Sequence, residues 1–118
     1  MNTNKLEGAA LDYWALHADG RAEEIIGVSY AEFISYSEDD QFRFMFHWDI
    51  VGPIIDQERI SVEADEYSDG WHAWCVHAAL PDGVQRSSCS GPTPIIAALR
   101  CLVASKYGAE VPDSGMAA

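Results

Sequence analysis

Basic residues are scarce in this sequence. It holds 7 Lys and Arg against 19 Asp and Glu, which gives a formal net charge of −12. The basic side chains are scattered singly along the chain, whereas a protein that neutralises phosphates needs a basic footprint. The scarcity therefore disfavours direct binding of nucleic acid.

Long hydrophobic runs are absent as well. No apolar run in the chain approaches the roughly 20 residues that span a bilayer, and no charged stretch followed by an apolar segment opens it. The 3 cysteines are an odd number at long spacings, which predicts reduced thiols rather than a disulfide framework. We therefore expect a cytoplasmic protein that is neither membrane-spanning nor secreted by that route.

The short motifs of metal and catalytic sites are also missing. The sequence has no CxxC, no HExxH and no repeated acidic calcium loop. In a strand, His72 would lie on the face opposite Cys75 and His77, so these side chains are poorly placed to share an ion. No family signature surrounds Cys89, and the acidic runs are typical of solvated turns rather than of a buried carboxyl with a raised pKa. The sequence predicts no catalytic residue, no metal and no cofactor.

What the chain does contain is enough apolar material for one core. Its 118 residues are 48% hydrophobic, which is typical of a single folded domain. We expect that domain over residues 1–110. Residues 111–118 are small and polar with a proline, which predicts a frayed C-terminal tail.

Two segments have helical periodicity. Apolar residues recur at i, i+3 and i+4 over residues 6–18, before an Asp-Gly stop. Near the other end, Thr93 is placed to cap a helix, Pro94 suits its first position, and an apolar stripe ends at Gly108. The sequence therefore predicts an N-terminal and a C-terminal helix.

Alternating patterns between these helices predict antiparallel strands. Phe42, Phe44 and Phe46 alternate with other residues, which predicts a half-buried strand before a turn at Gly52-Pro53. Segments 59–64, 71–79 and 84–89 follow, joined by turn signals at 65–70 and 81–83. Residues 21–40 allow no single interpretation.

These elements together predict an α+β fold. An antiparallel sheet of at least three strands, connected as a meander, would be packed on one face by the N-terminal and the C-terminal helix.

Acidic residues cluster in the predicted turns beside this sheet. Such acidity keeps a protein soluble, or it presents a surface to a basic partner, with an exposed tryptophan as the anchor of the contact. The predicted partner-binding residues are Asp39, Asp40, Asp65, Glu66, Asp69 and Trp71.

A second candidate site precedes the C-terminal helix. Gly91 and Thr93 lead into a helix N-terminus, whose N–H groups and dipole favour an anion. A plain capping turn is the simpler interpretation, because the segment lacks the lysine and glycine spacing of a P-loop. The alternative prediction is a nucleotide or another small anion held at Gly91 and Thr93, with Trp48 or Trp74 stacking on a base.

Three blocks of sequence, spread over most of the chain, form a recognisable set. They are LEGAALDY at 6–13, then Trp48 with GPII at 52–55 and ISV at 60–62, then GPTPIIAALRC at 91–101 with ASKYG at 104–108. In this order they resemble the bacteriophage NinX-like family. The resemblance implies an accessory protein carried by a phage or prophage and acting in the host bacterial cytosol, and it transfers no catalytic residue.

The resemblance and the charge lead to one functional expectation. Small phage accessory proteins are often inhibitors of host machinery, and an acidic one can occupy a basic surface as a nucleic-acid mimic. We therefore expect a non-enzymatic acidic binding protein that engages or inhibits a host protein with a basic surface, for counter-defence or by mimicry. A small-ligand binder is the alternative, and an enzyme is the remote one.

Overall fold

Four α-helices and three strands make up the structure, a computed structural model that describes residues 1–36, 43–80 and 83–115. The helices are α1 (Gly8–Ala18), α2 (Tyr30–Tyr36), α3 (Trp48–Gln57) and α4 (Pro94–Tyr107), and the strands are β1 (Ser61–Ala64), β2 (Trp71–Leu80) and β3 (Gly83–Gly91). Short 3-10 turns lie at Thr3–Lys5 and Ala22–Ile25.

The strands form one antiparallel sheet in the order β1-β2-β3. In the central strand, Ala73 and Cys75 are buried in the core and Trp71 packs against the same core. Because side chains alternate along a strand, His72 and Trp74 lie on the opposite face. A bulge between Val76 and residue 78 shifts the register between β2 and β3.

Helix α4 covers the sheet and contacts both β2 and β3. The hydroxyl of Thr93 accepts the N–H of Ile96 at 3.1 Å, and the helix ends at Gly108, whose φ of 87° suits glycine. Helix α1 packs against α4, with the rings of Trp14 and Tyr107 5.3 Å apart, edge to face. The predicted α+β fold, a meander packed by an N-terminal and a C-terminal helix, is confirmed.

The segment before α3 differs from its prediction. Residues 43–47 are irregular rather than a strand, with a bend at Phe44 and Met45, and Phe42 lies outside the described residues. The predicted turn at Gly52-Pro53 is also wrong, because α3 continues through it. Pro53 cannot donate a hydrogen bond to the preceding turn, but Val51 and Ile54 on the same helix are buried in the core, and this burial holds the helix together.

A buried carboxylate explains the path of residues 43–45. Asp12, on α1, has no exposed surface. Its two oxygens accept the N–H of Phe44 at 2.9 Å and the N–H of Met45 at 2.8 Å. Backbone donors that bind this carboxylate are not available for a strand ladder. Burial raises the pKa of Asp12, and the two hydrogen bonds, together with the nearby charge of Arg43, oppose that rise.

Residues 108–111 lie along the beginning of the chain. The N–H of Thr3 donates to the carbonyl of Ala109 at 2.8 Å, and its hydroxyl donates to the carbonyl of Gly108 at 2.8 Å. The N–H of Val111 donates to the carbonyl of Met1 at 2.9 Å, and the Val111 side chain is buried. Val111, the first residue of the predicted tail, is thus hydrogen-bonded to the start of the chain. Residues 116–118 lie outside the described part.

All three cysteines are free thiols in the core. The sulfur atoms of Cys75 and Cys101 lie 3.4 Å apart. Burial raises the pKa of Cys89 to about 11, and burial also raises the pKa of Cys101. Thiols that are buried and protonated are poor nucleophiles, so Cys89 and Cys101 act in packing.

We expect Asp12→Ala to lower the free energy of unfolding by about 3–5 kcal/mol, because it removes the charge beside a buried arginine and the acceptor of two backbone N–H groups. Urea unfolding followed by circular dichroism measures this. The matched control is Asp19→Ala, which removes a partly exposed ion pair with Arg21 and should cost less, about 1 kcal/mol. Equal losses in the two variants would contradict the role of Asp12.

Candidate functional site

The loop between β1 and β2, residues 65–70, is fixed by its first side chain. We call it the acidic hairpin loop. Asp65 accepts the N–H of Tyr67 at 2.9 Å with one oxygen and the hydroxyl of Ser68 at 2.8 Å with the other. The backbone closes the loop, since the N–H of Asp65 donates to the carbonyl of Gly70 at 3.0 Å. A loop organised in this way loses little conformational entropy when it meets a partner.

Asp65 stays ionised within this network. The hydrogen bond from the Tyr67 N–H, the one from Ser68 and the neighbouring His72 lower the pKa of its carboxyl. His72 Nε2 lies 3.4 Å from an Asp65 oxygen. The predicted partner-binding residue Asp65 thus both carries charge and shapes the loop.

The loop presents an aromatic ring between carboxylates. Tyr67 is 93% exposed, and Glu66 and Asp69, on either side of it, are exposed as well. A shallow cavity of about 200 Å³ beside the ring is lined by Glu63, Ala64, Asp65, Glu66, Tyr67 and His72.

Tyr67 is not among the partner-binding residues predicted from the sequence. Trp71, predicted as the exposed anchor, lies half-buried against the core, and Tyr67 occupies an exposed aromatic position. One sequence feature indicates that Tyr67 is exposed. It is an aromatic residue within a run of polar turn residues, and no periodic pattern there predicts a core position.

A second surface lies between the first turns of α3 and α4. This apolar groove has a volume of about 390 Å³ and is lined by Phe46, Trp48, Thr93, Pro94, Ile95 and Ile96. Trp48 is 55% exposed. The groove brings together Trp48 and Thr93, two residues of the alternative prediction. Trp74 lies on the outer face of β2 and is not part of it.

The groove has apolar chemistry rather than anion-binding chemistry. All of its lining residues are uncharged. The capping of α4 already uses backbone donors that would bind a phosphate, because the N–H of Ile96 donates to the Thr93 hydroxyl and the N–H of Ala97 donates to the Thr93 carbonyl. Pro94 has no N–H at all. The arrangement suits an aliphatic or aromatic group.

Glycine contacts connect the loop to the groove. Trp71, just after the loop, pairs with Gly91 across the sheet. A β-carbon added at Gly70 would lie 3.1 Å from the Gly91 carbonyl oxygen, and one added at Gly91 would lie 2.9 Å from Ile96 Cγ2. Because Ile96 lines the groove, the acidic hairpin loop and the groove adjoin at one end of the sheet.

Asp39 and Asp40 lie outside the described residues. Within the described ranges, no three His, Cys, Asp or Glu side chains are grouped so as to hold a metal ion. Among the same residues, no helix is both long enough and apolar enough to cross a bilayer.

We expect Asp65→Ala to change the conformation of the loop while the fold persists, because both carboxylate contacts disappear. The amide resonance of Tyr67 reports this in NMR spectra, with Asp69→Ala as the control that keeps the network. Because the pKa of Asp65 is lowered, its stabilisation of the loop is present above the ordinary aspartate pKa and is lost as the pH falls through the lowered value. A Tyr67 resonance unchanged in Asp65→Ala would contradict the assignment.

Comparison with known proteins agrees with the resemblance found in the sequence. The family described as Bacteriophage P22, NinX has a model that matches residues 2–106. That range contains every described residue of both surfaces. No curated protein matches the chain. The match extends over most of its length, and the chain therefore belongs to the bacteriophage P22 NinX family.

Proposed function

We propose that this phage accessory protein is a non-enzymatic acidic binding protein that engages a host protein in the bacterial cytosol. The acidic hairpin loop contacts a basic surface of that host protein. The observation that carries the proposal is Tyr67, which is 93% exposed between two exposed carboxylates on a loop organised by Asp65.

The energetics of interfaces support this use of Tyr67. A tyrosine offers a large ring with a polar end and few rotatable bonds, so it provides contact area at low entropic cost. Tyrosine is enriched among the residues that dominate binding energy. A ring left in water on an organised loop is suited to burial by a partner.

The charge of the chain supports the choice of a basic partner. A net charge of −12 accelerates the encounter with a basic surface and slows the encounter with acidic ones. Glu66 and Asp69 place carboxylates beside the ring, where they can pair with lysine or arginine. Asp39 and Asp40 are proposed to take part in partner binding on the ground of their charge. A basic surface that ordinarily holds nucleic acid fits this description, and occupying it would inhibit the host factor, as in counter-defence.

Charge reversal in the loop tests the proposal. We expect Glu66→Lys with Asp69→Lys to abolish capture of host proteins from a bacterial lysate at low salt, because both loop charges then repel a basic surface. The control is Asp56→Lys with Glu110→Lys, which changes the net charge by the same amount at exposed positions outside the loop. Capture that survives in the loop variant, or no capture by the unmodified protein, would overturn the proposal.

A small-ligand binder remains the second candidate function. It is supported by the meeting of Trp48 and Thr93 in the groove, and it is opposed by the uncharged lining and the capped helix. Thermal unfolding with nucleoside triphosphates separates the two functions. A ligand at roughly 100 times its dissociation constant adds about 2.7 kcal/mol to the stability. We expect no such shift with nucleotides, and a clear shift would favour the ligand-binding function.

A further inference from the structure

The apolar groove leaves hydrophobic surface open to water. Trp48 is 55% exposed at its rim, and Phe46, Ile95 and Ile96 are only partly buried. Its volume of about 390 Å³ offers room for a large aliphatic or aromatic side chain. Burying such a side chain there would remove apolar surface from water on both molecules.

Charge determines which occupant fits. A second copy of this chain would bring a charge of −12 against −12, which opposes association through this face. Asp49 follows Trp48 in the first turn of α3 and is exposed. The acidic hairpin loop adjoins the groove through Gly91 and Ile96. The groove is thus an uncharged site next to carboxylates.

We propose that the groove binds an apolar anchor side chain of a basic protein segment, whose lysine or arginine residues contact Asp49 and the acidic hairpin loop. This inference rests on the proposed function and deepens it by giving the partner a recognition pattern, a large apolar residue flanked by basic residues. The Trp48 ring also offers a face for an arginine or lysine beside the anchor.

NMR titration of the labelled protein with synthetic peptides tests the pattern. The probe is a short peptide with a central leucine flanked by arginines. One comparison peptide replaces the leucine by serine, and the other replaces the arginines by glutamates. We expect the first peptide to shift the Trp48 indole resonance and the amide resonances of Ile95 and Ile96, and to bind at least about tenfold more tightly than either comparison peptide.

Two variants distinguish the contribution of the groove to peptide binding from that of the acidic hairpin loop. We expect Trp48→Ala to weaken binding of the first peptide by about tenfold at low and at high salt, because it removes apolar contact. Glu66→Lys with Asp69→Lys should weaken it chiefly at low salt. Ile26→Ala is the control, since Ile26 is another exposed apolar side chain, 79% exposed, and it does not line the groove.

The results of these titrations distinguish the proposed function of the loop from the inference about the groove. If the loop variant loses binding while Trp48→Ala binds normally, the proposed function stands and the groove inference is overturned. If the glutamate peptide binds as well as the arginine peptide, the basic pattern is wrong. If the groove resonances shift with protein concentration when no peptide is present, the occupant is a second copy and the inference is overturned.

Discussion

The buried carboxylate of Asp12 holds two distant parts of the chain together. It lies on α1 and accepts the N–H groups of Phe44 and Met45. The chain just beyond is held in turn, since His47 Nε2 lies 2.6 Å from the Arg43 carbonyl oxygen. Helix α3 starts at the next residue, so this contact fixes where Trp48 stands. Phe46 and Trp48 form one wall of the apolar groove. The position of this wall therefore depends on a carboxylate that is fully buried.

The sequence predicts those helices and strands that are determined by residues within or next to them. Helix α4 follows from Thr93, Pro94 and Gly108, which act on their own neighbours. The β1–β2 hairpin follows from alternation and from the polar turn residues of the segment 65–70. The segment at 43–47 could not be predicted in this way, because its alternating phenylalanines satisfy a strand pattern while its backbone donors bind a side chain 32 residues or more away. Long-range hydrogen bonds of this kind leave no periodic signal.

The candidate site is predictable only in part for the same reason. Asp65, Glu66 and Asp69 are visible in the sequence as acidic turn residues, but the network that organises them is a matter of geometry. The groove combines a residue of α3 with the cap of α4, and only the fold brings these together. The sequence also selects Trp71 over Tyr67 as the exposed ring, because it cannot tell which aromatic residue near a turn packs on the core.

The two surfaces support one account of how a small acidic protein recognises a partner. The acidic hairpin loop supplies charge and an exposed ring, while the groove supplies apolar contact, and Gly91 lies between Gly70 of the loop and Ile96 of the groove. Charge alone steers encounter without defining a partner. In the proposed recognition, the apolar groove adds the short-range complementarity that selects one basic surface among many.

Cross-saturation NMR on the complex of this protein with its captured host protein tests the central claim most directly. The account predicts that irradiating the host protein attenuates the resonances of the acidic hairpin loop and of Trp48 and Ile96 together. Attenuation confined to another face, such as the outer face of β2 around Trp74, would contradict it.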